Sequence, residues 1–523
     1  MVTSRGVAFA AASAALGAVS IAPLVILLAG PALNGRWAVY QHAILDARQV
    51  RLLVTSVGIA GSVALVATAI GAPLGFLLAR APIPARNAVR LGLSIPVVVP
   101  TYALGLSWIY LASGSGLATR LLQSDAISQV IYSSTGVVIV LALALYPVPM
   151  LATEAAARRI ESRLEEAALL VAPTTRVLTR VTWPLLWPTI AGGALLTFVL
   201  ALSDYSVPNL LRQRVFTTEV FTAFAALYDA PRATALALPL LAVALAIGYV
   251  VASRATRVLE TNRASSVMGI RLGRLGAIAA VAMLFVFGAS VVLPLGTLAM
   301  EAGSLAAIGR GLDRSGAAII ESLVLASLAA TLTVCVSLVL GHRRARSNRR
   351  VARVVDASLI ALFAVPGTVV GVALIELWNR PGWSGVVYGT PAMVVIAYLA
   401  RFIPVSTLII SAGVRRVPRS SEDAAALSGA GWVRVMRRIV VPQLAGSLVV
   451  AWVLVFVLAF GEVGASVLVA PPGHAPYPVH VLTLIANAPT GQVAALALVQ
   501  AAVVVCPFVV ATAYASWSAR RHE

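Results

Sequence analysis

The chain has 523 residues, 60% hydrophobic and 11% charged, with a mean hydropathy of +0.94; soluble domains carry roughly 25% charged residues, so a soluble globular protein is excluded. All 39 basic residues are arginine, which removes a Walker-type phosphate loop, a Schiff-base lysine and a lysine-rich nucleic-acid tail together. The arginines behind the net charge of +20 fall between apolar runs, so they read as a topology signal and not as a nucleic-acid footprint.

A bilayer core asks for about 20 apolar residues per helix, and runs of that kind recur along the chain. In order, the expected spans have cores at 7–33, 52–79, 91–111, 136–151, 188–211, 233–252, 275–299, 317–341, 357–378, 391–411, 445–470 and 493–516. The first, Arg5 followed by an alanine-rich run, has the look of a secretory signal, but its length and the eleven spans behind it favour a retained helix. With the N-terminus inside, 28 arginines fall on the cytoplasmic side, 10 outside, and Arg401 within a span. The positive-inside rule then puts both termini of this multi-pass protein in the cytoplasm.

Cys335 and Cys506 lie singly in apolar stretches, which supports neither a disulfide nor a zinc site. His42, His342, His474, His480 and His522 are scattered, and none sits mid-span where a haem ligand would have to be. No catalytic residues, metal site, cofactor or nucleic-acid partner is expected.

The two halves repeat. At an offset of 266, Ser56, Gly75, Arg80, Pro100 and Gly105 match Ser322, Gly341, Arg346, Pro366 and Gly371. At 257, Arg158, Arg159, Ala167 and Ala168 match Arg415, Arg416, Ala424 and Ala425. At 258, Arg176, Arg180 and Pro184 match Arg434, Arg438 and Pro442, and Phe198-Val199-Leu200-Ala201 matches Phe456-Val457-Leu458-Ala459. The expected architecture is all-α, about twelve transmembrane helices in two parallel six-helix units, residues 1–262 and 263–523, with the arginine-rich stretch 253–274 as linker. An even number of spans per unit puts equivalent loops in the same compartment.

The longest cytoplasmic stretches, 153–187 and 412–442, share one design. Each has an acidic-Ala-Ala patch, a break, an arginine-bearing amphipathic turn and a proline leading into the next span. The first reads Glu165-Glu166-Ala167-Ala168, Ala172, Arg176, Arg180, Pro184; the second reads Glu422-Asp423-Ala424-Ala425, Gly429, Arg434, Arg438, Pro442. Small alanines let a short helix lie close against a partner, an acid near its start suits the helix dipole, and glycine permits a sharp turn.

These loops resemble the EAA loops of permease subunits of binding-protein-dependent ABC importers, whose pattern is Glu-Ala-Ala, three residues, Gly, and Leu-Pro further on. The second loop has Asp423 for Glu, keeps Gly429, and has Val441-Pro442 for Leu-Pro. The first keeps Glu166-Ala167-Ala168 but has Ala172 for glycine, is one residue shorter, and has Trp183 before Pro184. The resemblance implies a type I importer permease with no hydrolytic activity of its own. Glu166, Ala167, Ala168, Asp423, Ala424, Ala425 and Gly429 would be its ATPase-coupling residues. The implied partners are two copies of a cytoplasmic ABC ATPase, an extracytoplasmic substrate-binding protein and membrane lipid.

After the fifth span of each unit, Ser203-Asp204-Tyr205-Ser206-Val207-Pro208 and Gly461-Glu462-Val463-Gly464-Ala465 resemble the corresponding stretches of fused ferric iron permeases. Permeases for thiamine, phosphonate, polyamine and sulfate or molybdate share parts of the pattern. Charges inside a membrane are costly, which makes Arg401, Asp204 and Glu462 candidates for a pathway or gate, with a structural ion pair as the competing account. Glu321 and Glu376, nearer span ends, are expected to be interfacially solvated. An ion-coupled secondary transporter also uses repeats and midplane charges, but it does not need the repeated acidic-Ala-Ala loop.

Overall fold

The computed structural model describes residues 2–33, 35, 40–41, 46–113, 116, 119, 123, 126–258 and 275–520. The expected unit boundary at 262/263, most of the 253–274 linker, His42 and His522 lie outside them. The described residues are helical throughout, with no strand among them.

In the first unit the helices are α1 (Ser4–Gly30), α2 (Ala47–Arg80), α3 (Arg86–Val98), α4 (Thr101–Ala112), α5 (Ser134–Ala157), α6 (Ser162–Leu169), α7 (Thr174–Ser203), α8 (Ser206–Leu210), α9 (Phe216–Phe221) and α10 (Ala230–Val250). The second unit gives α11 (Gly276–Ala302), α12 (Leu305–Arg346), α13 (Arg349–Ala364), α14 (Gly367–Trp378), α15 (Ala392–Val414), α16 (Arg419–Leu427), α17 (Trp432–Gln443), α18 (Ala445–Phe460), α19 (Ser466–Val469), α20 (Tyr477–Leu484) and α21 (Thr490–Ala513). Among the described residues nine helices are long and apolar enough to cross a bilayer, or twelve if each of three bent pairs counts as one span.

Two of the bends fall inside expected spans: 91–111 is α3 and α4, which meet at 89°, and 357–378 is α13 and α14, which meet at 94°. The cause is local: Pro100 and Pro366 hold the residues before them, Val99 and Val365, in extended conformation, with ψ of 131° and 125°. Each arm has 12 to 16 residues, about 18–24 Å at helical rise, too short to span alone. Backbone freed at such a break is tolerated at membrane depth when protein surrounds it, and Val99, Pro100, Val365 and Pro366 are all buried.

The fifth span of each unit is also shorter than expected. Its helix stops at Ser203 or Phe460, not at Leu211 or Ala470, and a separate short helix, α8 or α19, follows the break.

Packing repeats with the sequence. α2 crosses α5 at Gly75, where a Cβ would lie 2.1 Å from the Met150 carbonyl oxygen, and α12 crosses α15 at the matching Gly341. The matched serines cap matched helix starts: Ser56 Oγ accepts from the Phe216 amide at 2.8 Å and Ser322 Oγ from the Tyr477 amide at 2.6 Å. The units also exchange elements. The end of the first helical run, Ala22–Leu33, packs on α14, while the end of α11 packs on α4; α10 lies along α13 and α21 along α3.

Candidate functional site: paired loops and helix-break carboxylates

In both loops the short acidic helix is tied to the second span of its unit by an ion pair that the sequence reading did not single out. Arg80, the last residue of α2, meets Glu165 at 2.7 Å with both side chains 2% exposed, and Thr182 Oγ1 donates to the other carboxylate oxygen at 2.7 Å. In the second unit Arg346, the last residue of α12, pairs with Glu422, Nε donating at 3.0 Å. His342 Nε2 lies 3.0 Å from the same carboxylate, and Arg346 Nη2 also donates to the Val417 carbonyl at 2.9 Å. The signal was present, since Arg80 and Arg346 match at 266 and Glu165 and Glu422 at 257. Breaking a buried pair of this kind costs about 3–5 kcal/mol, because one charge stays buried without its partner.

Glu422 lies outside the membrane-crossing helices. Burial alone would raise its pKa, but the hydrogen bonds and charges of His342 and Arg346 prevail and hold it below the ordinary glutamate value.

With the inner acid anchored, the predicted coupling residues turn outward. Glu166, Ala167, Asp423, Ala424 and Gly429 are exposed, and Ala168 and Ala425 are half-buried. Around them stand bare apolar side chains, Leu170 at 87% exposure, Val171 at 86% and Leu427 at 90%. Gly429 has φ of +78°, the left-handed region that makes glycine useful at a helix end. No left-handed residue stands at Ala172, so the first loop turns by a different route. A π-helical turn follows in both loops, Leu178–Thr182 and Met436–Val440, at matching positions. Beyond it α7 runs on as one helix, whereas α17 and α18 meet at 79°.

At the opposite end of the fifth spans, the three intramembrane candidates gather at the helix breaks. Asp204 bridges two helix starts: one oxygen accepts from the Val207 amide at 2.9 Å and Ser206 Oγ at 3.2 Å, the other from Thr101 Oγ1 at 2.6 Å. Glu462 does the same in the second unit, accepting from the Ala465 amide at 2.9 Å, but its other oxygen faces Arg401 Nε at 3.3 Å. Arg401 therefore has a structural partner. Room for it comes from Gly367, the counterpart of Thr101, where a Cβ would lie 2.5 Å from Arg401 Nη1 and 2.6 Å from Glu462 Oε1. The two knots adjoin across the unit interface, because a side chain at Gly461 would touch Pro100, 3.5 Å away.

Glu321, 30% exposed, meets His474 Nδ1 at 2.7 Å, and Glu376 accepts from Thr234 Oγ1 at 2.9 Å. Among the described residues no group of three or more His, Cys, Asp or Glu side chains is arranged to hold a metal ion.

Comparison with known proteins matches this architecture twice over. The family described as binding-protein-dependent transport system inner membrane component matches residues 71–264 and again residues 333–522. The chain is 26% identical over 452 residues to the putative ferric transport system permease protein FbpB 1 of Haemophilus influenzae, covering 80% of this chain and 70% of that one. It is 26% identical over 451 residues to the ferric transport system permease protein FbpB of Actinobacillus pleuropneumoniae, covering 80% of this chain and 64% of the relative. A shorter likeness, 27% over 146 residues, covers 28% of this chain and 53% of the molybdate/tungstate transport system permease protein WtpB of Thermococcus kodakarensis.

Proposed function

The chain belongs to the inner membrane components of binding-protein-dependent transport systems and carries their unit twice, and from this premise we propose that it forms the pathway of an ATP-driven importer for ferric iron. The observation that carries the cargo is the likeness to two ferric permeases over 80% of the chain, against 28% for the molybdate/tungstate permease.

In this reading the units are residues 1–262 and 263–523, both termini are cytoplasmic, and two copies of a separate ATPase dock on α6 and α16. Glu166, Ala167, Ala168, Asp423, Ala424, Ala425 and Gly429 form the docked faces. Their exposure together with Leu170, Val171 and Leu427 supports this, because apolar groups bare to water ask for a partner. Arg80–Glu165 and Arg346–Glu422 position those faces and pass their movement to α2 and α12. Hydrolysis belongs to the partner, since no lysine and no Gly-rich phosphate loop is available here.

An extracytoplasmic binding protein delivers the ion at the opposite face. Asp204, Glu462 and Arg401 form the gate, the bends at Pro100 and Pro366 meeting the fifth-span breaks between the two units. Alternating access then follows if each ATPase state prefers one arrangement of these breaks.

The test is co-purification in mild detergent followed by reconstitution. An ATPase and a binding protein should accompany the chain, and proteoliposomes holding the ATPase should import ferric ion only with the loaded binding protein and ATP. Import of molybdate or a polyamine in place of ferric ion would overturn the cargo and leave the importer standing.

A further inference from the structure

At the loop face of the second unit, a cavity of about 590 Å3 opens between the start of α1, the end of α12 and α16. Four arginines line it, Arg5, Arg343, Arg346 and Arg419, against two carboxylates, Glu422 and Asp423. Glu422 is already committed to Arg346 and His342. Arg5, Arg343 and Arg419 have no hydrogen-bonded or ion-paired partner among the described residues; Arg343 only stacks over Phe9, 5.1 Å from the ring centre. The cavity therefore has spare cations, with Asp423 as the one carboxylate left to oppose them.

The first unit differs at four of these positions: those matching His342, Arg343, Arg419 and Trp432 are Phe76, Leu77, Ser162 and Thr174. The cavity also sits at the ends of two long apolar helices: Arg5 is in the first turn of α1 and Arg343 in the last turn of α12, and arginines at such ends reach for the headgroup level. Basic pockets between helices at that level suit phosphate-bearing headgroups, and guanidinium groups bind phosphate oxygens in pairs.

We propose that this cavity binds a phosphate-bearing anion, the headgroup of an anionic phospholipid, which ties the start of α1 to the α16 coupling loop. The inference rests on the reading of that loop as the ATPase-docking face on the cytoplasmic side. Free phosphate shares the same chemistry, and the experiment separates the two sources.

Purified wild-type chain, the triple variant Arg5→Gln/Arg343→Gln/Arg419→Gln and a first-unit control, Arg163→Gln, are placed in phosphatidylcholine nanodiscs with and without phosphatidylglycerol. Retained lipid is counted by native mass spectrometry, and inorganic phosphate is titrated in parallel by thermal shift. Wild type and the control should each hold one phosphatidylglycerol that the triple variant loses, with affinity falling ~10-fold or more. A phosphate-dependent shift without lipid selectivity keeps the anion site and makes its ligand soluble. Equal lipid and phosphate binding by wild type and the triple variant overturns the proposal. So does loss of ATPase binding in the triple variant with no response to either anion, which would give the cavity to the ATPase. ATPase co-purification is scored separately, so that absence of any ATPase partner sinks the docking reading and not the anion site.

Discussion

Glu422 gives the clearest single-residue test of how the loops are held. Its pKa is depressed by His342 and Arg346 against the opposing effect of burial, so its stabilisation is present above the unfolded value of about 4.3 and is lost as pH falls through the lower folded value. The difference in thermal unfolding midpoint between wild type and Glu422→Gln should hold steady from neutral pH to about 5 and close below about 4. A difference that grows on acidification would contradict this sign. At the breaks of the fifth spans, Asp204 and Glu462 cap helix starts. If the cargo is cationic, Asp204→Asn combined with Glu462→Gln should lower ferric uptake about tenfold, more than either change alone, at unchanged abundance and ATPase association. Unchanged uptake would leave both residues as helix caps only. Gly367→Ala, which drives a methyl into the Arg401–Glu462 pair, should lower the unfolding midpoint, while Thr101→Ser keeps its hydroxyl for Asp204 and should leave it near wild type.

At the scale of elements, the loops and the breaks differ in how readily the sequence reveals them. The acidic-Ala-Ala helices were legible because their pattern occurs twice in register, and Gly429 was legible as a turn. Its φ of +78° now separates two otherwise similar substitutions. Gly429→Val puts a branched side chain where left-handed backbone costs about 1–2 kcal/mol, so it should uncouple transport from ATP hydrolysis, whereas Ala172→Val should be milder. Equal tolerance of both would count against a coupling role for the turn. The bends at Pro100 and Pro366 were hidden, because hydropathy registers an apolar run without its direction. Only the proline, matched in both units, carried the information. The fifth spans were read too long for the same reason: Tyr205–Leu211 and Val463–Ala470 are apolar, yet they follow a capping carboxylate that starts a new short helix.

For the whole molecule, the duplication was readable to the residue, but the exchange of first helices between units was not. Nothing in a parallel repeat says whether a unit's first helix packs at home or abroad. The composition makes a firmer statement about activity. The purified chain, shown free of other subunits, should neither bind ATP tightly nor hydrolyse it, since it lacks lysine altogether. Robust hydrolysis by such a preparation, measured as phosphate release, would remove the division of labour on which the importer reading stands.

The exchanged helices also set a schedule for synthesis. The surface that receives Ala22–Leu33 is α14, which begins at Gly367, more than 300 residues later in translation. At roughly 5–20 residues per second, the ribosome needs on the order of tens of seconds to supply it. Throughout that interval the first helix lacks the main surface it packs on in the finished fold. A nascent chain stalled before Gly367 should therefore leave that helix open to membrane-insertion chaperones and cross-linkers, and one stalled well past Trp378 should not.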